Sequence, residues 1–385
     1  MSLDANEAEL IRTFVRQLTT KYDRRYWLEC TSQGKALDEL WRELGRAGYL
    51  GVTVPEQYGG SGLSMSRLTI LVEELANHGL PTFFIVISTA MGSVAIAKHG
   101  TEEQKRRYLT TMADGSEKFC FAITEPDAGS NSFRVRTLAR RDGDNYVING
   151  QKVFISGVDQ ADHMLLVART TPADQVKDKR EGMSLFIVDT KAAGLTMHRM
   201  DTRVVMPEGQ FEVFFEDVRI PRGNLVGEEG KGLKAIFDAL NPERISASAM
   251  ATGVGRYALG KAVEYAKIRT VFNTPIGAHQ GLAHPMAVAK TRLELASLMA
   301  HKAAEIFDEG GDAGMYANMA KYAAAEAAID AVDIAMQVHG GSGFTGETDI
   351  ITLWPIARLL RTAPVSREMI LSYIAQHVLG LPRSY

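Results

Sequence analysis

The chain has 385 residues and a formal net charge of −3. This balanced charge gives no electrostatic reason to expect binding to nucleic acid or to an anionic membrane surface. The two cysteines, Cys30 and Cys120, exclude a disulfide framework and fit a reducing compartment. Because there is no apolar signal core, no Arg-rich transit pattern and no long apolar run, we expect a cytoplasmic protein without a membrane span.

The first part of the chain has the apolar spacing of helices. One predicted helix carries its apolar side chains on a single face, at Leu37, Leu40, Trp41 and Leu44. Residues 68–75 repeat this spacing after a Gly-rich loop at 55–64. We therefore predict an N-terminal α-helical domain over residues 1–117.

The middle third changes to short runs of β-type residues. These runs lie at 146–148, 153–155, 164–168, 185–189 and 211–215. Asp142-Gly143 is typical of a hairpin turn, and Lys177–Gly182 has the composition of an exposed loop. We predict a middle β domain over residues 118–226.

From Gly227 the helical pattern returns, which predicts a C-terminal helical domain over residues 227–385. One apolar stripe at helical spacing consists of Val288, Leu295, Met299 and Ile306. The Ala-rich segment 317–336 is strongly helical in propensity.

The most informative stretch is residues 121–131, where an apolar run stops in small and polar residues. Thr124 and Ser130 bring hydroxyls, Pro126 fixes one backbone angle, and Gly129 permits conformations that other residues avoid. A strand that runs into such a loop presents backbone N–H groups and hydroxyls to a polar ligand. We interpret the segment as part of a cofactor site; a plain turn is the alternative.

Three further segments follow at characteristic distances, at 149–157, at 269–280 and at 337–341. In this order and spacing the segments resemble those of the acyl-CoA dehydrogenase family of flavoproteins. The resemblance runs from Gly48 to Gly341 and therefore covers nearly the whole chain. It implies an α+β fold with an N-terminal helical domain, a middle β-barrel or sheet domain and a C-terminal four-helix bundle. It also implies FAD as cofactor. The spacing of the nine histidines independently predicts no metal site.

The resemblance places one part of the FAD against the middle domain. The implied contacts are Phe121, Ile123, Thr124, Gly129, Ser130, Phe154, Ile155 and Ser156. Ser156 would hydrogen-bond the flavin near its hydride-accepting nitrogen, and Ser130 would contact both cofactor and substrate. Phe154 stands where relatives often have Trp; a buried strand residue is the alternative. Asn131 departs from the Asp that relatives often have.

A second set of residues resembles positions that hold the adenine-dinucleotide end of FAD from a neighbouring subunit. These residues are Arg269, Phe272, Gln280, Gln337, His339, Gly340 and Gly341. Arginine can pair a pyrophosphate bidentately, and paired glycines let backbone N–H groups approach it. A packed residue is the alternative for His339. Ser366 is a further predicted cofactor contact. This set implies a homo-oligomer, either a dimer or a dimer of dimers.

The resemblance offers two positions for the catalytic base. Many relatives carry a Glu before the last helix, where this chain has Pro364, and Glu368 is a poor substitute one helical turn later. Other relatives place the base on an earlier helix, at the position of Glu243. The alternative for Asn241-Pro-Glu243 is an ordinary helix start, with Asn as N-cap and Pro at the first helical position. We favour Glu243 as base, with Arg244 as a substrate-binding or structural cation.

Together these features predict an FAD-dependent acyl-CoA dehydrogenase that forms an α,β-unsaturated thioester, with electron-transfer flavoprotein as electron acceptor. Three alternatives remain open at this point. They are an enoyl-CoA reductase, an oxygen-using oxidase or monooxygenase of the same fold, and a flavin-binding subunit without its own base.

Overall fold

The computed structural model describes residues 4–383 and begins with a helical region. Its α-helices, in chain order, are α1 (Ala5–Leu18), α2 (Arg24–Ser32), α3 (Asp38–Arg46), α4 (Met65–Asn77), α5 (Ser93–His99), α6 (Glu102–Gln104) and α7 (Thr110–Asp114). The apolar face predicted for α3 is confirmed, because its leucines and Trp41 are buried. Ser64 caps α4, since its Oγ accepts a hydrogen bond from Arg67 N at 3.3 Å.

The middle region is a mixed sheet of eight strands. The strands are β1 (Phe119–Ala122), β2 (Leu138–Asp142), β3 (Asn145–Ser156), β4 (His163–Arg169), β5 (Met183–Asp189), β6 (Leu195–Arg199), β7 (Gln210–Pro221) and β8 (Leu225–Val226). Their order is β6-β7-β3-β2-β4-β5-β8, and β1 pairs with β4 in parallel. The predicted hairpin is confirmed between β2 and β3, where Gly143 has a φ of 60°.

Strand β3 joins two runs that the sequence shows as separate. It pairs with β7 throughout, but the register shifts between Ile148 and Gly150 and again between Lys152 and Ile155. Such bulges re-aim side chains within a strand. The second bulge contains Phe154 and therefore lies in the segment expected to face the flavin.

The C-terminal region is again helical. Its α-helices are α8 (Gly232–Ile268), α9 (Gln280–Asp308), α10 (Gly314–His339), α11 (Ile350–Leu360) and α12 (Arg367–Tyr373), and a two-stranded hairpin, β9 (Thr270–Val271) and β10 (Thr274–Pro275), separates α8 from α9. The architecture predicted from the sequence, helical then sheet then helical, is confirmed.

Asn241-Pro-Glu243 does not start a helix, which was the alternative interpretation of this segment. The helix already begins at Gly232, and Pro242 lies inside it. Because proline has no N–H, α8 lacks one i to i−4 hydrogen bond directly before Glu243. Glu243 is therefore a mid-helix residue, and a first-turn acid cannot explain its presence.

Helix α9 exists as predicted, but part of its large apolar stripe points outward. Val288 is 50% exposed and Leu295 is 61% exposed. The buried face of the helix is formed by smaller residues around Leu293 and Met286. A helix with apolar side chains on two faces has a second surface that it can bury against a partner.

A buried polar cluster joins the N-terminal helices to the C-terminal ones. The carboxylate of Glu73 in α4 accepts hydrogen bonds from Arg256 in α8, from Ser297 at 2.9 Å and from His301 at 3.0 Å in α9. These contacts fix α8 against α4. Within residues 4–383, no helix is both long and apolar enough to cross a membrane.

Candidate active site

The two flavin-type segments of the middle region lie side by side. Val153 N donates a hydrogen bond to Thr124 O at 2.9 Å, so the loop after β1 is tied to the end of β3. Phe121, Ile123 and Thr124 are partly exposed, and Ser130 is exposed. These side chains therefore border the same open surface as the end of β3.

A buried ion pair supports this surface from beneath. Lys152 has no exposed side-chain area, and its Nζ donates to Glu125 Oε1 at 2.8 Å and to Ile123 O at 2.9 Å. Glu125 also accepts hydrogen bonds from the backbone N–H groups of Arg136 and Thr137. Burial lowers the pKa of Lys152 to about 8, although the Glu125 charge opposes this shift. The loop at 121–131 is therefore held by charge-assisted hydrogen bonds.

Phe154 is not a buried strand residue, which was the alternative interpretation of this position. It is 58% exposed and has a φ of 57°, in the left-handed region that non-glycine residues rarely adopt. Such a conformation costs about 1–2 kcal/mol. The bulge thus presents an aromatic ring to the surface at an energetic cost, which is a feature of ligand sites.

Ser156 is held in place by a neighbour on β7. Its Oγ accepts a hydrogen bond from Gln210 Nε2 at 2.8 Å and lies 3.2 Å from Gln210 Oε1, to which it can donate. The single hydroxyl proton therefore goes either to Gln210 Oε1 or, when the hydroxyl only accepts from Gln210, to a ligand. Ile155 is buried between these two surface residues and anchors the strand end in the core.

Behind Ser156 lies a buried carboxyl group, that of Glu208. Its Oε1 accepts a hydrogen bond from Phe84 N at 3.2 Å, and its Oε2 is buried without a hydrogen-bond partner in the described part of the chain. Burial raises the pKa of Glu208 to about 7. A Cβ at Gly157 would contact both Phe84 and Glu208, so the turn after Ser156 requires a glycine there.

Gly129 does not use the conformational freedom that only glycine has. Its φ is not in the left-handed region, and a Cβ at this position would meet no atom within 4 Å. Gly340 and Gly341 likewise border open space, although Gly340 has a φ of 55°. All three glycines thus expose backbone that a large ligand can approach closely.

The hairpin between α8 and α9 projects outward. Phe272 and Asn273 form its tip, both with φ above 50°, and Phe272 is 90% exposed. Arg269 is exposed and has no carboxylate within ion-pair range in the described chain, and Gln280 is the exposed first residue of α9. The exposed aromatic ring and the arginine without an ion-pair partner are therefore available to contact a neighbouring molecule.

The end of α10 carries the remaining predicted contacts. Gln337 is exposed, whereas His339 is buried, with Nδ1 bonded to Ala335 O at 2.8 Å. The His339 ring stacks on Tyr265 with centroids 4.5 Å apart. The structure thus favours packing for His339, while a cavity of about 650 Å³ lies beside it.

Glu243 projects from the middle of α8. It is partly exposed, and no hydrogen bond to its carboxylate contributes among residues 4–383, where only the charges of Arg244 and Lys321 act on it. Burial raises the pKa of Glu243 to about 7, although the charges of Arg244 and Lys321 oppose the shift. A free carboxylate with a pKa near neutrality has the properties of a general base.

Two cations lie near this carboxylate. Arg244 bonds only Asn241 Oδ1, at 3.1 Å from Nη1, and its Nε is buried without a partner in the described residues. Lys321 is 2% exposed and donates to Val365 O at 2.8 Å. Burial lowers the pKa of Lys321 to about 8.

The segment before α12 carries no carboxylate that could replace Glu243. Pro364 occupies the position that the resemblance assigns to a Glu, and Glu368 is an exposed first-turn acid of α12. Ser366, predicted as a cofactor contact, is the N-cap of this helix, where its Oγ accepts from Met369 N at 3.3 Å. That hydrogen bond accounts for Ser366 without a ligand.

Sequence reasoning missed four residues that shape the site: Lys152, Glu208, Gln210 and Lys321. Lysines inside an apolar strand and inside an Ala-rich helix are unusual, and this signal could have identified Lys152 and Lys321. Glu208 and Gln210 have no local signature. No group of three or more His, Cys, Asp or Glu side chains within residues 4–383 is arranged to hold a metal ion.

The sequence matches three family models in succession. These are the acyl-CoA dehydrogenase N-terminal domain at residues 5–116, the middle domain at residues 120–218 and the C-terminal domain at residues 230–379. The chain therefore belongs to the acyl-CoA dehydrogenase family.

Individual relatives agree with this assignment. Acyl-CoA dehydrogenase FadE12 of Mycobacterium tuberculosis is 48% identical over 385 residues, which cover 100% of this chain and 98% of the relative. A 3-(aryl)acrylate reductase of Clostridium sporogenes is 32% identical over 375 residues, covering 96% and 98%. A glutaryl-CoA dehydrogenase of Mycobacterium smegmatis in complex with FADH2 has a TM-score of 0.90 at 26% identity, covering 100% and 96%.

Members of this family are flavoproteins that bind FAD. The residues present here fit such a group: an exposed aromatic ring at Phe154, a donor hydroxyl at Ser156 and accessible backbone at Gly129. The protein is an oxidoreductase of the acyl-CoA dehydrogenase family.

Proposed function

We propose that the protein dehydrogenates an acyl-CoA thioester between its α and β carbons, with Glu243 as the base. The observation that carries this proposal is the free carboxylate of Glu243 in the middle of α8, with its pKa raised to about 7. The position before α12 offers Pro364 instead of a carboxylate. Glu243 is thus the candidate base within the described chain whose access and pKa both suit proton abstraction.

In this proposal Glu243 takes the α-proton and becomes a neutral acid, while hydride leaves the β-carbon. FAD supplies the hydride acceptor when it is bound. The partial burial of Glu243 suits this step, because a desolvated carboxylate is a stronger base than one in water. Arg244 and Lys321 then limit how far its pKa rises, so that a useful fraction stays ionised near neutral pH.

The middle region would orient the cofactor. Phe154 would lie against the flavin, and Ser156, held by Gln210, would donate its hydroxyl proton to it. The loop from Phe121 to Ser130, fixed by the Lys152–Glu125 pair, would border the flavin and the substrate.

We further propose a homo-oligomer in which the hairpin tip of one subunit reaches the cofactor of another. Phe272 is 90% exposed at that tip, and Arg269 beside it has no anionic partner in the described residues. The exposed apolar side chains of α9 would be covered in the same assembly. Electron-transfer flavoprotein is the proposed electron acceptor.

The reaction can be tested with purified, FAD-loaded protein under anaerobic conditions. A panel of saturated acyl-CoA esters of different length and branching is mixed with the protein, and bleaching of the flavin band is followed. We expect at least one ester to bleach the flavin and an artificial acceptor to restore the colour. Failure of every ester to bleach it would contradict the proposal.

An enoyl-CoA reductase is the second candidate, favoured by the 3-(aryl)acrylate reductase relative at 32% identity. The same residues can return a proton to the α-carbon, so the geometry serves both directions. The discriminating experiment reduces the flavin with dithionite and adds an enoyl-CoA or arylacrylyl-CoA. Fast flavin reoxidation by these compounds, without bleaching by the saturated esters, would assign the reductase direction.

A further inference from the structure

Lys321 is the one long, charged side chain in its part of α10. Buried alanines flank it along the helix at Ala317, Ala320, Ala324 and Ala328. The small residues let α10 pack closely on α8, the helix that carries Glu243. Lys321 as a whole is only 2% exposed, so its charge is screened far less than a surface charge.

The Lys321 ammonium group bonds the segment that links α11 to α12. Its Nζ donates to Val365 O at 2.8 Å, directly between Pro364 and Ser366. Lys321 makes no other hydrogen bond and no ion pair within residues 4–383. A buried ammonium with three donors and one neutral acceptor is costly unless a negative charge lies nearby.

The nearby charges come from three helices. Glu243 from α8 favours the charged form of Lys321, and Arg244 from α8 disfavours it. Glu326 from α10 and Glu368 from α12 also interact with Lys321. Tyr373 from α12 faces Arg244.

The positive charges in turn favour the ionised form of Glu243 and so lower its pKa. Its two charged neighbours are Arg244, adjacent in the chain, and Lys321, on the packed helix. Arg244 is also held by Asn241 through Nη1, whereas Lys321 is held by the backbone of the linking segment. The position of the Lys321 charge thus depends on the segment around Pro364.

We propose that Lys321 is a positioning residue for the dehydrogenation: it fixes the 364–366 segment against α10 and places a positive charge beside the Glu243 carboxylate. The proposal rests on the proposed function, in which Glu243 is the base. Here the tether places the charge of Lys321 near a base on another helix.

The test measures the pH dependence of anaerobic flavin reduction by the best acyl-CoA in the parent and in four variants. Lys321→Met and Lys321→Gln remove the charge, and the second keeps an N–H donor. Lys321→Arg keeps the charge. Lys261→Met is the matched control, because Lys261 is also partly buried and donates to a backbone oxygen, Thr348 O at 2.5 Å.

Removal of the positive charge should raise the pKa of Glu243, so the rising acid limb of the profile should move to higher pH. We expect a shift of roughly 0.5–1 pH unit in both neutral variants. In Lys321→Arg and in the Lys261→Met control, the acid limb should lie at the same pH as in the parent. These comparisons use the pH at which the rate rises and not the absolute rate. A partial loss of folded protein therefore does not affect them.

A second measurement does not depend on turnover. Difference infrared spectroscopy of the protein without substrate follows the protonated carboxyl band of Glu243, identified by its absence in Glu243→Gln. We expect this band to persist to higher pH in Lys321→Met than in the parent.

The outcomes separate the two levels of the proposal. If Glu243→Gln is inactive while both neutral Lys321 variants keep the parent's limb and the parent's infrared titration, Lys321 is only a packing residue and the inference is overturned. If Glu243→Gln reduces its flavin at the parent rate, the base assignment fails. The infrared titration still decides whether Lys321 sets the charge of Glu243.

Discussion

Lys152 Nζ lies 2.8 Å from Glu125 Oε1, in a buried ion pair directly beneath the loop that the sequence marks as a cofactor site. The same ammonium holds Ile123 O, and the same carboxylate holds two backbone N–H groups. The pair therefore fixes the conformation of a loop that consists of small, turn-forming residues.

Lys152→Met should be strongly destabilising, because it leaves the Glu125 carboxylate buried without its countercharge. We expect a loss of about 3–5 kcal/mol in the free energy of unfolding and a lower FAD content. Urea denaturation and the flavin-to-protein absorbance ratio measure these effects. Lys179→Met, at an exposed loop position, is the control. A variant as stable as the control would show that the pair does not hold the loop.

Phe154→Gly and Phe154→Ala should separate backbone strain from ring contact. Both variants lose the aromatic ring, but only glycine adopts a φ of 57° without cost. We expect the Gly variant to be more stable than the Ala variant by about 1 kcal/mol. Both should bind FAD more weakly than the parent, as measured by fluorescence titration. Equal stability, or undiminished FAD binding, would argue against a strained flavin contact.

Glu208 should make stability depend on pH. Burial raises its pKa from 4.5 to about 7, so the folded state holds a proton that the unfolded state releases between these values. The associated stability is present below pH 4.5 and is lost as the pH rises through about 7. Glu208→Gln keeps an acceptor for Phe84 N and should be more stable than the parent at pH 8, by about 1–3 kcal/mol.

The measurement for Glu208 is the difference in unfolding free energy between parent and Glu208→Gln at pH 5 and pH 8. This difference cancels the contributions of other titrating groups, such as Glu243. Glu212→Gln on β7, the strand that follows Glu208, is the control. A difference that does not change with pH would mean that Glu208 is not protonated in the folded protein at pH 5.

Leu295→Lys should weaken the proposed assembly. Leu295 and Leu298 are 61% and 67% exposed on α9, and a charge among them would be costly to bury against a second copy. Light scattering after size exclusion should show a smaller species than the parent. Leu10→Lys, at a 66% exposed position on α1, should leave the mass unchanged. An unchanged mass for Leu295→Lys would exclude this face from the interface.

The fold was predictable from the sequence because its signals are periodic and local. The apolar spacing gave α3, the alanine content gave α10, and Asp142-Gly143 gave the β2–β3 hairpin. The continuation of α8 through Asn241 was not predictable, since Asn-Pro-Glu has the composition of a helix start.

The parts of the site that lie within sequence motifs were predictable. The tie between the segments of Thr124 and Val153 agrees with the sequence interpretation of a joint surface. The sequence could not show that Phe154 is exposed, because its bulge depends on pairing with β7. Nor could it show that the charge of Lys321 acts on Glu243, since 78 positions separate them and they lie on two different packed helices.

The most direct test of the account is single-turnover flavin reduction in Glu243→Gln. The variant and the parent, matched for FAD content, are mixed anaerobically with the acyl-CoA that reduces the parent fastest, and Glu368→Gln serves as control. Because the amide cannot accept the α-proton, we expect the rate to fall by about 10²–10⁴-fold in Glu243→Gln and to stay unchanged in the control. Reduction of Glu243→Gln at the parent rate would contradict the assignment of Glu243 as base.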